Sequence, residues 1–209
     1  MNIDSDDINS VNFYFSLNEM DNFNVLDLIM SYCTYCSDVN AKKIHKDYHD
    51  NHYGFPIDKD NELFGRLLLE INQAGLSWET ILKKEENFKR AYSGFDIEEI
   101  ADYKQSDIDR LLEDSGIIRN KLKVNAAIHN AQQVIHIKQE FGTFKQWLDV
   151  NYPLSIEEWT KLFKKTFKFV GGEIVNEFLM STGYLPGAHD ENCIIFEKVK
   201  ALNPKWLEI

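Results

Sequence analysis

Residues 106–134 read SDIDRLLEDSGIIRNKLKVNAAIHNAQQV, and the fold turns on what this stretch forms. Ser106 can cap a short helix whose inner face is Ile108, Leu111 and Leu112. Gly116 then supplies a left-handed turn, and a longer helix begins near Arg119. Two helices joined by a glycine hairpin present backbone N–H groups at a helix N-terminus, an anion site that needs no side-chain specificity. Arg119, Lys121 and Lys123 follow at once. The same residues also describe an ordinary αα-hairpin of a helical core, and the stretch alone leaves both readings open.

Working outward, the remaining signals are helical. Leu63, Phe64, Leu67, Leu68 and Ile71 make one apolar stripe at helical spacing, and Gly75 sits where that helix should stop. Ile81, Leu82, Phe88 and Tyr92 mark a second helix with Ser77 as its cap. Asp96 with Glu99, and Ser155 with Glu158, have the spacing of capping boxes. Alternating strand patterns are nearly absent and the chain has only four prolines. The expected fold is all-α with short loops. At 209 residues there is room for one domain plus an extension, divided here as an acidic N-terminal extension over 1–34, a helical domain over 35–200 and a C-terminal tail over 201–209.

The net charge of −11 is unevenly spread. Residues 1–30 hold six acids and no Lys or Arg, which leaves −5 for residues 31–209. The extension reads either as a bland solvated tail or as an acidic competitor for the basic patches. Residues 117–138 contain Arg119, Lys121, Lys123 and Lys138 without an acid, and residues 161–172 contain Lys161, Lys164, Lys165 and Lys168 unopposed. An acidic chain with two such patches can bind a polyanion, since the local field holds the phosphates; two solvated helix faces would look the same. No apolar run reaches the roughly 18 residues of a membrane span, and the N-terminus lacks the basic residues that open a signal peptide. The expectation is a cytoplasmic protein without a membrane partner. Three cysteines cannot complete a disulfide framework, so metal or plain burial explains them better.

Cys36 precedes His49 by thirteen positions, and His189 precedes Cys193 by four in GAHDENC. Two thiolates and two imidazoles suit tetrahedral zinc and would fasten the ends of the domain together. Cys33 and Cys36 form a C-x-x-C pair of their own, so spacing leaves two ligand sets open. Glu70 lies at the edge of the buried stripe, where a carboxylate must be paired, protonated or lining a cavity. Beyond it NQAGLSW brings Trp78 to a helix start. A carboxylate and a large aromatic at a helix junction can recognise a flat, cationic ligand; a Glu paired with a nearby Lys is the structural alternative.

YHDNHYG (48–54), EINQAGLSW (70–78), SGIIRNK (115–121), FKFVG (167–171) and the H-x-x-x-C of His189 and Cys193, in this order and spacing, resemble the DNA-3-methyladenine glycosylase I family of the helix-hairpin-helix superfamily. The likeness covers about residues 36–196. It implies an all-α helix-hairpin-helix glycosylase fold with one structural zinc joining the two ends of the domain. The matching ligands are Cys36, His49, His189 and Cys193, which leaves Cys33 an ordinary cysteine. It implies a monofunctional glycosylase that flips an alkylated adenine out of double-stranded DNA and releases free 3-methyladenine. Glu70 would be the catalytic residue on the base edge, with Tyr48, Tyr53 and Trp78 lining the base site. Gly116, Arg119, Lys121 and Lys123 would hold DNA phosphates without reading sequence. A bacterial-type monomer associated with the nucleoid is the matching setting.

The chain also departs from the family pattern. His52 and Tyr53 replace a Glu and a Trp, Asn72 stands where Gln is common, and Asp38 occupies the place of a Trp two positions after the first zinc cysteine. The second function to weigh is therefore a zinc-stabilised helix-hairpin-helix DNA-binding protein with lost or altered glycosylase activity. A zinc hydrolase is disfavoured, because four protein ligands leave no open position for water.

Overall fold

The computed structural model describes residues 31–208, so the expectations placed on residues 1–30 lie outside the described residues. Its centre is a helix over Asp60–Gln73, where the stripe of Leu63, Phe64, Leu67, Leu68 and Ile71 is buried as expected. Arg66, Leu69, Glu70 and Asn72 are buried too, so this helix is enclosed on several sides and carries polar groups inward. The described residues are all-helical. In chain order the α-helices are α1 (Tyr32–Ser37), α2 (Lys43–Asn51), α3 (Asp60–Gln73), α4 (Trp78–Leu82), α5 (Glu85–Ala91), α6 (Ile97–Ala101), α7 (Gln105–Glu113), α8 (Lys121–Phe141), α9 (Phe144–Asn151), α10 (Ile156–Thr166), α11 (Gly172–Ser181) and α12 (Ile194–Lys200). Among them, no helix is long and apolar enough to cross a membrane.

Local chemistry explains most of the boundaries. Gly75 takes φ +82° directly after the cap of α3, a conformation a side chain would strain. Ser77 accepts from the Thr80 N–H at the start of α4, Asp96 accepts from the Glu99 N–H, and Ser155 with Glu158 forms a reciprocal box. The single helix read across Ile81 to Tyr92 is two, α4 and α5, separated at Lys83 and Lys84. Ser106 lies inside α7, which starts one residue earlier and is capped by Asp107 accepting from the Lys104 N–H.

Packing then divides around α3. On one side α8 runs against α6, α7, α9 and α3; on another α11 packs on α3 and α10. Phe144, Trp147, Phe163, Phe167 and Phe178 interlock between α9, α10 and α11 with ring centroids 5.4–6.3 Å apart. Buried aromatic contact of this kind adds roughly 0.5–1.5 kcal/mol per pair beyond area burial. Tyr32 and Cys33 of α1 lie in the core. The tail returns to the body, with Pro204 buried, Trp206 beside Phe196 at 5.9 Å and the Trp206 N–H donating to the Gly183 carbonyl.

Candidate functional site

The two ends of the domain meet at a cluster of two thiols and two imidazoles. Cys33 Sγ lies 3.3 Å from His49 Nε2 and 3.6 Å from His189 Nδ1; Cys193 Sγ lies 3.7 and 4.0 Å from the same two atoms. The imidazole nitrogens are 3.2 Å apart, and the four donor atoms all fall within 4.8 Å of one another. This group could hold a metal ion. The ring nitrogens facing away are fixed, His49 Nδ1 by Asp50 Oδ1 at 2.6 Å and His189 Nε2 by the Tyr53 carbonyl at 2.8 Å, which is how ligating histidines are oriented. Asp50 thus holds the His49 ring in place. Gly54 closes that turn at φ +77°, and a Cβ there would come within 2.6 Å of Ala188.

The expected ligand Cys36 is replaced by Cys33. Three residues apart on α1, the two thiols point about 60° from one another and are offset by about 4.5 Å along the axis, so only one can reach the cluster. Ser31 caps α1 and its hydroxyl also donates to Asp190, while the Asp190 N–H donates to Cys33 Sγ; this presents Cys33 to the 189–193 loop. Cys36 instead faces α2, its thiol 3.7 Å from the His45 carbonyl. The position two residues after the clustered cysteine is therefore Tyr35. It stacks on Tyr32 at 6.3 Å and meets His45 edge-on at 5.3 Å, so an aromatic is kept there. Asp38 is merely the C-cap of α1.

Beside the cluster lies a site walled by aromatic rings and floored by acid. Tyr48 on α2 meets the Trp78 ring edge-on at 5.1 Å and the Tyr53 ring at 5.6 Å, all three buried. Glu70 is 1% exposed, and its Oε1 has no hydrogen-bond partner; the buried Trp78 Nε1 has none either. Burial and the nearby Glu177 carboxyl hold Glu70 well above the ordinary carboxyl range, against the pull of Arg66 and Ser181. The lysine partner that would have made Glu70 a plain ion pair is not found. Orphaned polar atoms are costly to bury unless a ligand meets them, which makes the junction of Glu70, Tyr48 and Trp78 the candidate site. His52 is exposed and stacks on Tyr48 at 6.4 Å. Asn72 faces away from the site, toward Lys123 and Asn130 on α8.

Arg66 and Glu177 escaped the sequence reading. Arg66 Nη1 donates to the Tyr48 hydroxyl at 2.5 Å and its guanidinium lies over the same ring at 5.0 Å. Glu177 sits on α11, which packs on α3, and burial raises its carboxyl to about 7 against the pull of Tyr53 and Arg66. The available signal was a lone charge inside each apolar run, LFGRLLLEI and IVNEFLM.

The hairpin between α7 and α8 is present, with its own corrections. Gly116 does not take a left-handed φ. A Cβ there would meet Asp114 Oδ1 at 2.9 Å and Asn87 Cβ at 3.2 Å, so close approach, not backbone freedom, accounts for the glycine. Asn120 caps α8, accepting from the Leu122 and Lys123 N–H groups, which places the helix start at Lys121. Arg119 and Lys121 are exposed, but Lys123 is buried and cannot meet DNA phosphates. Its ammonium donates to the Asn72 and Ala74 carbonyls at 2.9 and 2.8 Å, capping the C-terminal end of α3. Lys123→Met is expected to destabilise the fold by about 2 kcal/mol in urea unfolding, from two charge-assisted bonds lost over buried carbonyls. If the hairpin holds DNA phosphates as the family resemblance implies, the same change should leave the salt dependence of that binding intact, whereas Arg119→Ala should weaken it and lower the slope by about one.

Comparison with known proteins gives a consistent result. The methyladenine glycosylase family profile matches residues 38–159. DNA-3-methyladenine glycosylase 1 of Escherichia coli (strain K12) is 33% identical over 180 residues, which cover 77% of this chain and 96% of the relative. The DNA-3-methyladenine glycosylase of Haemophilus influenzae is 33% identical, with 77% and 96% covered. Among solved structures, 3-methyladenine DNA glycosylase I of Staphylococcus aureus superposes with a TM-score of 0.70 at 29% identity, covering 79% of this chain and 97% of that one. A 3-methyladenine DNA glycosylase I solved in complex with 3-methyladenine gives 0.67 at 30% identity, covering 74% and 92%.

Proposed function

Since the chain belongs to the methyladenine glycosylase family, we propose that it is a monofunctional DNA glycosylase that hydrolyses the N-glycosidic bond of 3-methyladenine in duplex DNA. The observation that carries this reading is the unpartnered Glu70 carboxyl oxygen buried beside Tyr48 and Trp78. Alkylation places positive charge on the base, so the bond is weak and the base leaves readily. What the protein must supply is extrusion of the nucleotide, exclusion of neutral adenine and a favourable field for the cationic base and the developing oxocarbenium sugar. Glu70 meets the base edge through its free oxygen. Trp78 and Tyr48 enclose the ring, and since they touch edge-on at 5.1 Å, base admission requires them to part. Tyr53 forms the floor between Tyr48 and the Cys/His cluster. Gly116, Arg119 and Lys121 at the α7–α8 hairpin hold phosphates.

Zinc fits the cluster. Bond lengths of about 2.3 Å to sulfur and 2.05 Å to nitrogen set tetrahedral edges of roughly 3.3–3.8 Å, close to the 3.2–4.0 Å between the donor pairs that include an imidazole nitrogen. Cys33, His49, His189 and Cys193 would hold one ion. With four protein ligands it would be structural, tying α1, α2 and the 189–193 loop into one wall behind the pocket.

The test is release of free 3-methyladenine from methylated duplex by the purified, zinc-loaded protein at low salt. Release supports the reading. No release, with binding that ignores damage, would favour the DNA-binding alternative instead.

A further inference from the structure

FKFVG (167–171) carries two phenylalanines two positions apart, and the fold treats them oppositely. Phe167 is 3% exposed and packs on Phe144, Trp147 and Phe163, whereas Phe169 is 39% exposed. Between them one side chain grips both edges of the Lys168 residue. Asn130 of α8, 1% exposed, accepts from the Lys168 N–H at 2.8 Å and donates to the Lys168 carbonyl at 3.1 Å. Phe169 then takes φ +60°, a left-handed conformation that strains a bulky residue. Core packing gives no reason for a strained residue whose ring is left partly in water. A buried amide that spends both its halves on the preceding residue holds the strained turn in place, and strain held in this way is characteristic of positions that meet a ligand.

The surroundings of the ring indicate which ligand. Lys123 Nζ lies over the Phe169 ring at 5.7 Å, and the same ammonium donates to the Ala74 carbonyl, four residues before Trp78. Phe169 therefore stands beside the loop that leads into the base site. Lys168 is its neighbour in the chain, and Arg119 and Lys121 precede Lys123 at the start of α8; all three are exposed. An exposed ring among cations fits a polyanion that carries flat bases, for which the cations meet phosphates and the ring meets a base face.

We propose that Phe169 enters the duplex at the lesion and stacks on a base bordering the gap left by the flipped nucleotide. This rests on the glycosylase reading. Flipping takes one base out of the stack and opens the faces of those around it. An aromatic ring already aimed outward replaces part of the lost stacking and opposes return of the flipped nucleotide. The fixed turn lowers the cost of ordering the ring on contact.

The test uses a duplex with a stable tetrahydrofuran abasic analogue, alongside single-turnover release of 3-methyladenine from methylated duplex. Phe169→Ala should bind the abasic duplex about tenfold more weakly and, at subsaturating protein, release base about tenfold more slowly. Its affinity for free 3-methyladenine should equal that of the wild type, and Phe169→Trp should restore duplex binding. Equal duplex binding by wild type and Phe169→Ala overturns the proposal and leaves the glycosylase reading standing. An equal loss of free-base affinity also overturns it, since Phe169 would then only support the pocket. No release by the wild type overturns both. Should Phe169→Ala fail to fold, Phe169→Leu keeps an apolar side chain without a flat ring. With 2-aminopurine placed in turn opposite and on either side of the abasic analogue, the wild type should quench its fluorescence at one position and Phe169→Leu should not. Equal quenching by the two, or none by the wild type at any position, overturns the proposal.

Discussion

Glu70→Gln is expected to cut 3-methyladenine release by roughly a hundredfold, the size of effect seen when one preorganised electrostatic partner of the transition state is removed. The substitution keeps the side chain's volume but exchanges a potential anion for a neutral amide beside a cationic base. DNA affinity should hardly change, because Arg119 and Lys121 lie on the separate α7–α8 hairpin. Stability should move the other way with pH. The folded Glu70 carboxyl titrates well above its ordinary value of 4.5. Between those two values the folded state therefore binds more protons than the unfolded state, and wild-type stability falls as pH rises. The Gln variant lacks that fall, so its melting temperature should gain on the wild type from pH 5 to 8. Single-turnover assays and calorimetry at both pH values check the pair of outcomes; an active Glu70→Gln would remove Glu70 from the chemistry.

Cys33→Ser is expected to abolish stoichiometric zinc binding and to destabilise the domain by more than about 3 kcal/mol, whereas Cys36→Ser should retain the metal. The contrast is sharp because the two thiols are three residues apart, yet only Cys33 reaches His49, His189 and Cys193. Chelation of the wild type should mimic Cys33→Ser, loosening α1 and the 189–193 loop against α2. Metal content by atomic emission and urea unfolding of both variants would decide it. Zinc retained in Cys33→Ser and lost in Cys36→Ser would restore the ligand set implied by the family resemblance.

These outcomes mark how far the amino-acid order reaches. The stripe through Leu63, Leu67 and Ile71, the caps at Ser77 and Ser155, and the stop at Gly75 are local, since helix periodicity and capping depend on residues within a few positions. The motif order carried the family, and with it the expectation placed on Glu70, Tyr48 and Trp78. Tertiary structure decided whatever depended on the direction of a side chain in space. The C-x-x-C of Cys33 and Cys36 permits either thiol, and the rotation of α1, set by Ser31 and Asp190 more than 150 positions apart in the chain, selects Cys33. Lys123 looks like one more cation of a basic patch until the approach of α8 to the end of α3 turns it into a cap. Arg66 and Glu177 are single charges in apolar runs more than 100 positions apart, and no spacing rule joins them. Only the packing of α3 on α11 brings them within electrostatic reach of one another, because charge coupling depends on distance and burial, which sequence separation does not encode.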